Sequence, residues 1–133
     1  MTEPRRPDIR LTSITIATPE PLRLAGFYSQ LLGVDISVVE EPEPGQPNAA
    51  GWAQVATPTA RLNFEYERQW RAPTWPSEQG AQTATQHLDI WVESLDDGVA
   101  WAVACGARLA DHQPQDDVRV LIDPSGHPFC LFE

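Results

Sequence analysis

His87 and Asp89 stand two residues apart in the segment His87-Leu88-Asp89-Ile90-Trp91, a spacing that sets them on one face of a β-strand with Trp91 beside them. A neutral imidazole can ligate a metal, shuttle a proton or donate a hydrogen bond. As a general acid or base His87 would need a reacting group within hydrogen-bond reach; satisfied by Asn63 or by water it would be structural. Asn63 and Glu65 repeat the two-residue spacing, as do Ser13 and Thr15. The carboxylates of Glu65 and Asp89 could hold a cationic ligand or stay solvated at the mouth of a cavity. The Cys130 thiolate would bind zinc in company, yet His87 is its one obvious companion, and two such donors fall short of the three or four protein ligands zinc takes.

These side chains need strands to aim them. Residues 11–18, LTSITIAT, alternate apolar and polar, as a strand with one buried face does. Thr18 is placed to cap a helix and Pro19 to open it; Leu24, Tyr28, Leu31 and Leu32 recur at helical spacing until Gly33 supplies a stop. Val34 to Val39 reads as a strand. Beyond a Pro/Gly loop at 41–51, two more strands are expected near 52–57 and 60–66, turning at Thr57-Pro58-Thr59.

The order then repeats. Residues 87–94 read as a strand, and Ser94 with Asp97 resembles a capping box ahead of a helix faced by Val99, Ala102 and Val103. Gly106 ends that helix, and Ala107 to Ala110, Val118 to Ile122 and Phe129 to Phe132 supply three short strands. Ser13-Ile14-Thr15-Ile16 aligns on His87-Leu88-Asp89-Ile90, and Asn63-Phe64-Glu65-Tyr66 on Cys130-Leu131-Phe132-Glu133, with the leading apolar positions coinciding. In each strand Ile14, Ile16, Leu62, Phe64, Leu88, Ile90, Phe129 and Leu131 should face the helices. Ser13, Thr15, Asn63, Glu65, His87, Asp89 and Cys130 should face the other way. Trp91 shares that polar side. The connecting stretch 67–86 carries Trp70 and Trp75 and is longer than most connections in a compact domain, which suits covering a cavity or meeting another subunit.

Three segments, TPEPLRLAGFYSQLLGV at 18–34, HLDIWVESLDDGVAWAVACGARL at 87–109 and DPSGHPFCLFE at 123–133, together resemble the vicinal oxygen chelate superfamily, the glyoxalase and bleomycin-resistance type of fold. The resemblance implies an α+β fold of two βαβββ modules, their strands forming a curved, partly closed mixed sheet around a cavity with the helices outside. The chain would be one domain, 1–133, with modules at 8–66 and 87–133 and a linker at 67–86. Family members named glyoxalase and extradiol dioxygenase bind a divalent metal at positions that map onto Ser13, Asn63, His87 and Cys130. Only His87 keeps an expected metal-ligand identity, so the resemblance implies no metal and no other cofactor here, with a single divalent ion as the alternative. Glu133, three past a mapped position, should point away from it. His127 belongs to the family's reversing turn and is assigned no chemistry.

Composition bounds the remaining choices. A chain of 133 residues can bury a core without staples. Its two cysteines, Cys105 and Cys130, make neither a disulfide framework nor a zinc-finger pattern and are expected to be reduced. With 19 acidic against 9 basic side chains, the formal charge of −10 excludes the basic surface that nucleic acid requires. No apolar run reaches membrane-spanning length, and the opening MTEPRRPDIR has no apolar signal stretch, which points to the cytoplasm. His112 with Asp111, Asp116 and Asp117 lacks calcium-loop spacing and reads as a solvated loop.

The expectation is therefore a metal-independent binding protein that encloses a small aromatic or amphiphilic molecule, cationic if charge guides it, with antibiotics among the candidates. Ser13, Asn63, Glu65, His87, Asp89, Trp91 and Cys130 would touch the ligand, and the protein would be a homodimer, as family members commonly pair halves across subunits. The rival is a lyase, isomerase or dioxygenase of the same fold with His87 as base or metal ligand.

Overall fold

The computed structural model describes residues 2–47 and 50–133, so residues 48 and 49 of the expected 41–51 loop lie outside it. The elements run β1 (Ser13–Thr18), α1 (Pro21–Leu32), β2 (Ile36–Glu40), β3 (Trp52–Ala56), β4 (Arg61–Tyr66), β5 (Asp89–Trp91), α2 (Leu95–Cys105), β6 (Arg108–Leu109), β7 (Val118–Ile122) and β8 (Pro128–Phe132). This is βαβββ twice. The strands form two four-stranded sheets, β1-β4-β3-β2 and β5-β8-β7-β6, each with its first and last strands parallel and its other pairs antiparallel. Among the described residues no ladder joins the sheets into a barrel. No helix among them is long and apolar enough to cross a membrane.

Several boundaries differ from the sequence reading by a few residues, and two of them bear on the core and the site. Helix α1 opens at Pro21 rather than Pro19; the Thr18 hydroxyl still accepts the Glu20 N–H at 3.0 Å, as a cap would, and also bonds Ser125 Oγ at 2.8 Å. Strand β5 is three residues long, not eight, and leaves His87 just before it. Its one neighbour is β8, whose register holds Asp89 to Trp91 against Cys130 to Phe132. Gly33 closes α1 in the left-handed region at φ 67°, its N–H on the Ser29 carbonyl. Ser94 Oγ caps α2 by accepting the Asp97 N–H at 3.3 Å, and the Glu133 carboxylate accepts the Leu95 N–H at the same helix start.

One core serves both modules. Ile16, Leu62 and Phe64 of the first sheet, Leu121, Phe129 and Leu131 of the second, and Leu24, Phe27 and Tyr28 of α1 are buried together. Ile14, expected on the apolar face, is 39% exposed and lines a cleft, whereas Ile16 of the same strand is buried. Tyr28 is the junction: its ring stacks on Phe64 at 5.6 Å and meets Phe129 edge-on at 6.2 Å. Its hydroxyl donates to Asp123 Oδ2 at 2.7 Å, while Asp123 Oδ1 accepts the Ser125 and His127 N–H groups. His127 Nε2 meets the Ala17 carbonyl at 2.7 Å, so the 123–127 turn is fastened to both α1 and β1. The helices are also tied, Trp101 Nε1 donating to the Leu31 carbonyl at 3.1 Å.

Gly126 lets the linker approach that turn. Its φ is 96°, and a Cβ there would lie 2.7 Å from the Ala72 Cβ.

Burial pushes the Tyr28 hydroxyl well above its usual pKa, aided by the Asp123 charge, and keeps it a donor. Burial also raises Asp123 above the ordinary aspartate value, against the opposing pull of Tyr28 and His127. Two outcomes follow. Tyr28→Phe should cost about 1–3 kcal/mol in denaturant unfolding, since a buried carboxylate oxygen loses its donor. A raised carboxyl contributes stability that is present in full below the unfolded-state pKa and is lost as pH rises through the folded value. Asp123→Asn should therefore flatten the stability profile across that window, and an unchanged profile would count against Asp123 as its source.

Candidate functional site

Because both sheets turn their apolar sides to one core, their polar sides look away from it. On the first sheet, β3 and β4 pair Gln54 with Asn63 and Trp52 with Glu65, and the parallel β1 sets Thr15 beside Asn63. Gln54 Nε2 donates to Asn63 Oδ1 at 2.8 Å, and Asn63 Nδ2 donates to Ser13 Oγ at 3.0 Å. The result is a neutral chain of three side chains, flanked by the exposed Glu65. Gln54 was missed in the sequence. The signal available was its place between Ala53 and Val55, polar between two buried residues.

The second sheet assembles a different group. The parallel ladder pairs Asp89 with Cys130, and the Cys130 N–H donates to the Leu88 carbonyl, which brings His87 to the same face. His87 Nε2 lies 3.2 Å from Asp89 Oδ1, with the two side chains 51% and 63% exposed. The Cys130 thiol is half-buried, packed against a small cluster of Ala110, Val120 and Ile122 that Trp75 of the linker also covers. Burial pushes the thiol pKa up, and the neighbouring Asp89 charge adds to the rise. Trp91, next along the same face, is 65% exposed.

The seven expected residues thus form two groups, Ser13, Asn63 and Glu65 on one sheet and His87, Asp89, Trp91 and Cys130 on the other. Among the described residues no hydrogen bond or ion pair links them. The linker has its own work: Trp70 donates to the Ser125 carbonyl at 3.1 Å, lies against the His127 ring and, with Ile14 to Ala17, Tyr28 and His87, lines a cleft of about 300 Å³.

Paired βαβββ modules with polar sheet faces and helices on the apolar side define a glyoxalase-type fold. The sequence matches the family model described as the glyoxalase-like domain over residues 13–132, and the chain belongs to that family. By sequence it has no significant match among curated proteins. In structure it is similar to a glyoxalase family protein from Enterococcus faecalis, at 19% identity and a TM-score of 0.66 over 93% of this chain and 97% of that one. It is also similar to the fosfomycin resistance protein FosX from Listeria monocytogenes, at 12% identity and a TM-score of 0.68 over 92% and 90%. A glyoxalase/bleomycin resistance protein/dioxygenase family enzyme from Burkholderia phytofirmans follows at 17% and 0.62 over 90% and 94%. At these identities the likeness carries the fold alone.

Of the four mapped positions, the two on the first sheet do not suit the metal that the fold family implies. Ser13 and Asn63 are neutral, and the Asn63 amide is engaged at both ends, to Gln54 and to Ser13.

The exposed pair His87 and Asp89 holds little of the fold together, since a solvated ion pair contributes roughly 0–1 kcal/mol. His87→Ala and Asp89→Asn should each leave unfolding stability within about 0.5 kcal/mol of the parent. A larger loss in thermal or denaturant unfolding would make these residues structural.

Proposed function

We propose that this chain is a small-molecule-binding protein that works as a homodimer, each ligand held between the first-sheet face of one copy and the second-sheet face of the other. The observation that supports this is the openness of both polar faces, with a bare Trp91 beside His87 and Asp89. A ligand site needs concavity, a few fixed polar groups and aromatic walls, and a single open face supplies only half of it. The edge strands β1 and β5 each keep one side unpaired among the described residues, and such edges accept a further strand. A second copy brings both the strand and the complementary face under two-fold symmetry.

The ligand that suits this site is a planar aromatic or amphiphilic molecule with a positive charge, an antibiotic among the candidates. Trp52 and Trp91 offer flat apolar walls, and Glu65 and Asp89 offer carboxylates within a chain of net charge −10. A mutant of Listeria FosX was solved with Mn(II) and a dihydroxypropylphosphonic acid. Unpaired cysteines suit a reducing, cytoplasmic setting.

The His87–Asp89 contact favours a second reading, a lyase, isomerase or dioxygenase in which a carboxylate orients His87 as base. Turnover abolished by His87→Ala with binding retained would select it.

A native mass spectrum of untreated protein should show a dimer carrying a small organic ligand, and light scattering at micromolar concentration should give the dimer mass. In calorimetry with planar cationic compounds, Trp91→Ala should weaken binding by about 1–3 kcal/mol, the range for losing an aromatic hot-spot contact. Glu65→Gln should weaken only the cationic members of the set. A monomer, or an affinity unchanged by Trp91→Ala, would overturn the reading.

A further inference from the structure

The disagreement with the family's metal positions is one-sided. The first sheet offers a hydroxyl and amides already bonded to one another, whereas the second gathers an imidazole, a carboxylate and a thiol whose donor atoms all lie within 4.8 Å of each other. Cys130 had one companion in the sequence. The parallel register adds Asp89, which no mapped position includes, and raises the count to three.

We propose that the second module alone forms a site for a soft divalent cation, zinc above all, with His87, Asp89 and Cys130 as its three protein ligands and an open position facing outward. Nitrogen, oxygen and sulfur donors in that number are what zinc takes where one coordination position stays free. A thiolate among them selects against magnesium, calcium and manganese. The register sets the Asp89 carboxylate beside the Cys130 thiol, and a dication attracts both groups. The apolar cluster of Ala110, Val120 and Ile122 covers the sulfur from one side, while His87 and Asp89 remain open on the other.

The inference does not rest on pairing of copies, since all three donors come from one sheet of one chain. With the cation in place Asp89 is committed to it, and attraction of an organic cation falls to Glu65.

The test uses the full chain, reduced and freed of metal, titrated with Co(II) in the spectrophotometer and with Zn(II) in the calorimeter. Co(II) should bind one per chain with a thiolate-to-cobalt charge-transfer absorption. Cys130→Ser should remove that absorption, and Cys130→Ala serves if the serine variant does not fold. Asp89→Asn and His87→Ala should each weaken zinc by at least the about 10- to 100-fold that losing even an outer-shell partner costs a metal site. Cys105→Ser should bind as the parent does. The proposal is overturned by a titration with no thiolate absorption or by absorption that survives loss of Cys130. It is overturned equally by Asn63→Ala weakening zinc as much as Asp89→Asn, which would restore a site spread over both modules.

Discussion

Tyr28 stands where the two modules meet, its ring between Phe64 and Phe129 and its hydroxyl on a carboxylate that is only 4% exposed. A buried aspartate is costly unless its oxygens are bonded, and Asp123 is bonded to a side chain from α1 and to two backbone N–H groups of its own turn. The same turn reaches β1 through His127 and Thr18 and the linker through Trp70. With both sheets committed to this core, their polar faces have to look elsewhere. The openness of the candidate site is thus a consequence of how the modules share their apolar sides.

That constraint also separates two kinds of chemistry. The first sheet presents a neutral chain, Gln54 to Asn63 to Ser13, whose geometry is fixed by its own hydrogen bonds and which is suited to reading a ligand's polar atoms. The second presents ionisable groups, His87, Asp89 and Cys130, beside an uncovered indole. In a protein built from a repeat, this difference shows the two modules diverging at equivalent strand positions: Ser13 against His87, Thr15 against Asp89, Asn63 against Cys130. At these three positions the second sheet keeps groups that ionise and the first keeps groups that do not.

The linker is part of the same architecture. Trp70 packs on His127 at the cleft, while Trp75 donates to the His112 carbonyl and covers the apolar cluster next to Cys130. Each indole satisfies its N–H on a backbone carbonyl and spends its ring on apolar cover, which is why a polar stretch of this length can lie ordered across both modules.

Much of this was legible in the residues themselves. The alternation in SITIAT and RLNFEY fixed which side chains face the core, and Gly33 and Gly106 fixed where the helices stop, because period and left-handed turns are local properties. The doubled βαβββ order followed. What sequence could not settle was decided across the sheets. That Gln54 meets Asn63, that Asp89 lies beside Cys130, and that β5 is only three residues long all depend on register between strands far apart in the chain. The bond between the Thr18 hydroxyl and Ser125, 107 positions away, is of the same long-range kind. Periodicity assigns a residue to a face of its own strand, whereas its neighbour on that face is chosen by long-range pairing, and the direction in which the face looks is chosen by the shared core around Tyr28.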